Sequence, residues 1–444
     1  MGGWGYGRKD PSHTPIPPSS HTAFNHEDNA ELYGLRHGSV ASIRNPQSAI
    51  QNPTMLYYLI LYLEEQFQPP GFQAVQFITV RAALAAITAL VIALFVGRRV
   101  IRWLRRQQLG EQVREGEAAG AVDHSHKAGT PTMGGVIILM AILGATLLWG
   151  ALAEVYVWLI ILATAWMGGF GFADDYIKVV KKDKKGLAPR VKIIGQVSLG
   201  LIVGGVLYFH PQFAQIHAFT DLPFVRDWQF DYNFLGRLFE GEDGAAANLG
   251  WLIYIPAVVF IVTATSNAVN LTDGLDGLAA GVTAIVALGL VALCYISGNT
   301  VLSDFLGVMY LPGAGELTIF ATAMVAACLG FLWFNGYPAT VFMGDTGSLA
   351  LGAAVSTLAL MVKKEILLPL LCLVFFVETI SVIMQTGYFK YTKRKTGEGK
   401  RVFRMAPLHH HYEAKGVHEV KIAVRFWIIT VVTVIATLLS LRIR

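Results

Sequence analysis

The stretch Asn267-Ala-Val-Asn270-Leu-Thr-Asp273-Gly-Leu-Asp276-Gly-Leu-Ala-Ala-Gly281 decides how the chain reads. It sets two amides and two carboxylates within ten residues, and an apolar run long enough to cross a bilayer stands on each side of it. Hydrocarbon penalises such groups by roughly several kcal/mol each, so they belong at a membrane surface or beside a water-filled cavity. Taken alone, the stretch is also satisfied by a polar turn between two helices. In that reading Asp276 caps the second helix and Asp273 is the carboxylate left for a ligand. Further polar clusters on the same side of the membrane favour a site.

Working outward, the 444-residue chain has a mean hydropathy of +0.50 and only 15% charged residues. That composition indicates an all-α, polytopic integral membrane protein rather than a soluble domain. Apolar runs of about 17–25 residues, the length a bilayer requires, fall near 75–97, 134–153, 155–173, 193–209, 249–266, 277–296, 317–334, 346–362, 366–387 and 422–441. Ten spans are therefore expected, the second and third joined by a tight hairpin at Glu154. Residues 1–54 are polar, without a sustained apolar period. They read as a disordered leader or as a start placed too early, with Met55 the natural start and 55–444 the membrane domain. Leu56 to Phe67 is too short to span and reads as interfacial. Cys294, Cys328 and Cys372 lie inside apolar runs without metal-ligand spacing, so buried thiols are expected.

Basic residues set the orientation. Of 35 Lys and Arg, 23 fall in the loops after the first, third and ninth spans, as seven, seven and nine. Those loops are therefore cytoplasmic and both termini periplasmic. The acidic 210–248 loop becomes an extended periplasmic one. Lys363-Lys364 on the outer side is the exception. A transporter would show paired broken helices near mid-membrane; the polar motifs here sit at the cytoplasmic ends.

Asp174-Asp175-Tyr-Ile-Lys178 closes the third span. Adjacent carboxylates repel unless a lysine or a divalent cation resolves them. Such oxygen donors suit Mg²⁺, which takes one or two carboxylates plus substrate phosphates; a solvated helix end with Lys178 as helical neighbour is the bland reading. Asn335-Gly-Tyr-Pro338-Ala-Thr-Val-Phe342-Met-Gly-Asp345-Thr346-Gly-Ser348 lies between the seventh and eighth spans and leads into a helix start, where backbone N–H groups favour phosphate. Asp345 is the expected metal ligand there, although Asp345, Thr346 or Ser348 as a simple cap also fits. Pro407-Leu-His409-His410-His411 is a poor mononuclear zinc site, because three consecutive imidazoles cannot face one way. They suit phosphate or proton transfer, or merely a basic surface loop. Lys127-Ala-Gly-Thr-Pro-Thr132-Met-Gly-Gly135 offers a lysine and hydroxyls before paired glycines, a weak phosphate signal. Carboxylates, lysines and histidines on one membrane face point to phosphoryl transfer involving a lipid substrate.

Taken together, Asp174-Asp175-x-x-Lys178, Asn267-x-x-Asn270-x-x-Asp273-x-x-Asp276, Phe342-Met-Gly-Asp345 and Pro407-Leu-His409-His410-His411 resemble the polyprenyl-phosphate N-acetylhexosamine-1-phosphate transferases. The triple histidine, the 127–135 motif and Val424-Arg-Phe-Trp427 resemble the branch that transfers phospho-N-acetylmuramoyl-pentapeptide. The resemblance implies UDP-MurNAc-pentapeptide as donor, undecaprenyl phosphate as acceptor, and lipid I and UMP as products at the bacterial inner membrane. It implies Mg²⁺ on Asp345, Asp174 as the base toward the lipid phosphate and Asp175 in support. Asn267, Asn270, Asp273 and Asp276 would line the nucleotide and sugar side, with Lys127, Thr132, Phe342 and Gln385 also binding substrate. Lys178, Lys192, His409, His410 and His411 would hold phosphates. A homodimer is left open and no nucleic-acid partner is expected. The rivals are a GlcNAc-1-phosphate transferase, which would carry His-x-His-His, and, from another class, a secondary transporter.

Overall fold

A computed structural model of the chain describes residues 56–106, 129–183, 185–222, 229–239 and 248–442. Lys127 and the leader lie outside the described residues. Among the described residues the chain is helical throughout, apart from one two-stranded hairpin.

The helices are α1 (Leu56–Phe67), α2 (Ile78–Arg106), α3 (Gly135–Trp149), α4 (Val155–Val179), α5 (Pro189–Phe209), α6 (Trp251–Thr272) and α7 (Leu278–Ser297). They continue as α8 (Thr300–Leu306), α9 (Leu317–Asn335), α10 (Gly344–Met361), α11 (Leu368–Leu371), α12 (Leu373–Thr396), α13 (Leu408–Glu413) and α14 (Glu419–Ser440). Seven described helices are long and apolar enough to cross a membrane. Each of the ten apolar runs is occupied by helix. The protein is a multi-pass membrane protein of the all-α class. The interfacial stretch forms α1, which has no fully buried residue.

α10 is the hub. Every residue from Thr346 to Met361 is buried, as expected of a helix whose whole circumference is small or apolar. α3, α4, α6 and α7 pack around it, while α9 packs on α2 and α7. Without a hydrophobic drive between helices in lipid, close backbone approach supplies the packing. Gly171 of α4 shows it: a Cβ there would overlap the Asp345 carbonyl oxygen of α10. Gly135 of α3 is likewise pressed on the Gly347 backbone. Gly171→Ala is therefore expected to force the two helices apart at about 1–3 kcal/mol of overpacking. Thermal unfolding in detergent should show a clear fall; an unchanged midpoint would mean that this crossing yields freely.

The chain departs from the sequence reading at three places. α4 continues to Val179, past the apolar run, and so carries Asp174, Asp175 and Lys178 on rigid helix. α6 continues through Thr272, so Asn267 and Asn270 are helical and only 273–277 is a turn. Asp276 does not cap α7: the N-cap residue of that helix is Gly277, which offers no side-chain cap. One Asp276 carboxylate oxygen instead accepts the Ala339 N–H at 2.9 Å.

At the far end of α10, Lys363, Lys364 and Glu365 are all buried. Lys364 forms an ion pair with Asp221 of β1 (Phe219–Asp221), which pairs antiparallel with β2 (Gln229–Asp231). Lys363 Nζ donates to the His217 carbonyl at 3.1 Å, and Glu365 accepts from the Tyr232 hydroxyl at 3.0 Å. Burial pushes Lys363 down to about 8, with Glu365 opposing the shift. The two lysines that break the charge pattern thus find partners inside the protein, an ion pair for Lys364 and a backbone carbonyl for Lys363, and they tie the hairpin to the bundle.

Candidate active site

Four helix ends meet at the opposite end of α10. α4 brings Asp174, Asp175 and Lys178; α5 brings Lys192; α6 brings Asn270; α10 brings Asp345. Lys178 Nζ lies 2.5 Å from Asp174 Oδ2 and 3.2 Å from Asp345 Oδ2. Lys192 Nζ lies 3.0 Å from the same Asp174 oxygen and is also paired with Asp345. The i,i+4 helical pairing of Lys178 with Asp174 is real, but the lysine also bridges to another helix. Asn270 Nδ2 donates to Asp345 Oδ1 at 2.9 Å and to Ser348 Oγ at 2.8 Å, which fixes the second Asp345 oxygen. Asp174 is fully buried, whereas the Asp345 side chain stays 16% exposed. The cluster therefore opens toward Asp345.

Asp175 plays a different part. Its carboxylate accepts the Asp345 N–H at 3.1 Å, the Thr346 N–H at 2.9 Å and the Thr346 hydroxyl at 2.6 Å. It caps α10 from a neighbouring helix, where a negative charge also meets the helix dipole favourably. None of Asp345, Thr346 and Ser348 supplies that cap; α10 has no side-chain cap of its own at its N-cap residue. Asp174, Asp175 and Asp345 each offer an oxygen, and these lie within 4.8 Å of one another. This all-oxygen set, with one member open to solvent, fits a hard divalent cation.

The remaining sequence candidates frame this centre. Phe342 N–H donates to the Pro131 carbonyl and Gly134 N–H to the Phe342 carbonyl, each at 2.8 Å, so the Thr132 segment is laid beside the start of α10. Asn267 faces α5, donating to Gln196 Oε1 at 3.0 Å. Asp273 stands at the end of α6. Gln385 accepts the Val402 and Phe403 N–H groups at 2.9 Å and donates to the Phe403 carbonyl at 2.9 Å, clamping the loop before the histidines. The three histidines diverge. His409 is buried, with Nδ1 3.1 Å from Glu378 Oε2. His410 Nδ1 pairs with Glu413 at 2.9 Å, and His411 Nδ1 accepts the Arg404 N–H at 3.1 Å. Burial pushes the His409 imidazole below its ordinary range, against the pull of Glu378.

Two residues here, Gln196 and Glu378, were missed by the sequence reading, and Asn335 was read only as the start of a motif, with no role. Asn335 takes the Gly277 N–H at 3.0 Å and donates to the Val341 carbonyl at 2.9 Å, so it joins two of the motifs. Gln196 is the partner of Asn267. Glu378 could have been found, because a lone glutamate inside an apolar run is a marker of function.

Carboxylates and lysines converging where helices end, in a bundle of apolar helices, define a class: an integral membrane enzyme with the donor set of phosphoryl transfer. Comparison with known proteins narrows it. Residues 157–363 match the model of glycosyl transferase family 4, and residues 127–139 match signature 1 of phospho-N-acetylmuramoyl-pentapeptide-transferase. The phospho-N-acetylmuramoyl-pentapeptide-transferase of Salinibacter ruber is 67% identical over 390 residues, 88% of this chain and all of the relative. Those of Chloroherpeton thalassium and Flavobacterium johnsoniae are 52% and 47% identical, again over 88% of this chain and all of each relative. The chain belongs to the phospho-N-acetylmuramoyl-pentapeptide-transferase family.

Proposed function

We propose that this enzyme transfers phospho-MurNAc-pentapeptide from its UDP carrier to undecaprenyl phosphate at the cytoplasmic face of the bacterial inner membrane. The products are lipid I and UMP. The observation that carries the reading is the sharing of Lys178 and Lys192 between Asp174 and Asp345. Two ammonium groups held between two carboxylates are positioned to be taken over by arriving phosphates.

In this reading the donor pyrophosphate and the lipid phosphate draw both lysines away from Asp174. Its Oδ2 then becomes the acceptor for the lipid phosphate proton. The phosphorus bearing the sugar forms its new bond to an oxygen of the lipid phosphate. Its bond to the UMP oxygen breaks, and UMP leaves. Asp345 would hold Mg²⁺, with Asp174 and Asp175 adjoining; when bound, the ion supplies charge neutralisation across the pyrophosphate. Asp175 keeps Asp345 in place through the start of α10. Asn270, Asp273 and Asp276 line the nucleotide and sugar side. Phe342 offers a face for the uracil, and Lys127 lies in the adjoining segment of sequence.

The test is UMP release by purified enzyme supplied with undecaprenyl phosphate and either UDP-MurNAc-pentapeptide or UDP-GlcNAc. Release with the first donor, and loss of it when EDTA removes Mg²⁺, is expected. Equal or faster release with UDP-GlcNAc would sink the reading. Orientation is tested separately. A cysteine at Val301, which is 74% exposed, should react in intact cells with an impermeant thiol reagent, and one at Lys395 should not. The three native cysteines are buried and will not compete. The reverse pattern would place the cluster on the wrong side for a cytoplasmic nucleotide.

A further inference from the structure

Glu378 is fully buried on α12, inside an apolar run. A carboxylate there is costly unless donors satisfy it. Both of its donors from α13 come from one residue. The His409 backbone N–H lies 3.2 Å from Oε1, and the His409 ring Nδ1 lies 3.1 Å from Oε2. A two-point grip of this kind fixes both the start of the histidine helix and the plane of the imidazole. The other ring nitrogen, Nε2, is buried and has no hydrogen-bond partner among the described residues. It faces Gly274: a Cβ at that glycine would overlap Nε2. The His409 ring therefore fills the space between Glu378 and the turn that follows Asp273. On its other side lies the His410 ring, with centroids 4.2 Å apart and planes at 58°. The His409 ring thus packs against that of its neighbour, whose Nδ1 is held by Glu413.

We infer that Glu378 is a positioning residue that, through His409, docks the histidine helix onto the Asp273–Gly274 turn. His409 in this arrangement works by packing, and the phosphate-facing duty falls to the residues it orients. The inference rests on the reading that the nucleotide sugar is held between these two segments. It adds a residue that the sequence motifs do not contain and changes the role of one that they do.

The experiment compares Glu378→Ala, Glu378→Gln, His409→Ala and Gly274→Ala, with the pairs E378A/H409A and G274A/H409A, in the full-length enzyme. Glu378→Ala leaves two buried donors without an acceptor and should raise KM for UDP-MurNAc-pentapeptide by about tenfold or more, with a smaller change in kcat. Glu378→Gln should stay within about threefold of the parent, since its amide can accept the backbone N–H and donate to Nδ1. E378A/H409A should be no worse than the weaker single variant, because both changes break one contact. Gly274→Ala should raise KM, and G274A/H409A should resemble H409A alone, because the collision is gone. Hydrogen exchange in the absence of substrate should quicken in both 272–277 and 405–413 when Glu378 becomes Ala. Unchanged exchange and KM in E378A would overturn the inference, as would additive losses in E378A/H409A. Glu378→Gln as damaging as Ala would assign the effect to charge and would also overturn it. Because exchange is read without turnover, a parent enzyme inactive on this donor would sink the proposed reaction and leave the docking still tested.

Discussion

Asp345→Asn is expected to slow UMP release at least about a hundredfold at ordinary Mg²⁺, the scale of losing a charged group that acts on the reacting phosphates. The substitution keeps the shape of the side chain. An amide oxygen can still accept from Asn270 Nδ2, now at 2.9 Å, and Ser348 Oγ keeps its own bond to the Gly344 carbonyl at 2.9 Å. The cap supplied by Asp175 uses the backbone of residue 345 and is untouched. What disappears is the negative charge that shares Lys178 and Lys192 with Asp174. Both lysines then collapse onto Asp174, and the open oxygen donor for a cation is lost. Insertion and thermal unfolding should stay close to the parent. The measurement is UMP release across a Mg²⁺ titration, with unfolding as the control. Near-normal turnover at ordinary Mg²⁺ would remove Asp345 from the metal site, and a large fall in unfolding temperature would assign the loss to folding instead.

Hydropathy located the helices, because bilayer crossing demands long apolar runs. What sequence could not place was the length of helix beyond the apolar runs. α4 carries Asp174 to Lys178 out of the apolar segment as continuous helix, and that rigidity lets Lys178 reach both Asp174 and Asp345. The residues that meet at the start of α10 were visible in sequence, since polar groups at the ends of apolar runs stand out. Their division of labour was not. Asp174 and Asp175 are neighbours in sequence, yet successive helical positions point about 100° apart. One carboxylate therefore meets the lysines while the other meets the start of α10. Likewise one Asp276 oxygen and the Gln385 amide oxygen accept from loop backbone, which no spacing rule could indicate. The partners of Lys363 and Lys364, the His217 carbonyl and Asp221, lie far away in sequence and could not be read from it.

The division between the two aspartates leads to the second large effect. Asp175→Ala removes the acceptor of two backbone N–H groups and one hydroxyl, all at the start of a helix that is buried from Thr346 onward. No side-chain cap on α10 itself can replace it. Each buried group left without a partner costs about 1–3 kcal/mol, and a shared origin makes the costs less than additive. A loss of roughly 3 kcal/mol, seen as a lower unfolding temperature, is the expected result. Because Asp345 begins the same turn, its carboxylate shifts with the backbone, so turnover should fall by more than about tenfold. Asp175→Asn retains one acceptor oxygen and should lie between the parent and Ala in both measurements. Asp345→Asn makes the contrast, with turnover lost and unfolding kept. If Asp175→Ala were inactive but unfolded like the parent, Asp175 would have to act on substrate directly, and its place would move from the helix cap to the chemistry.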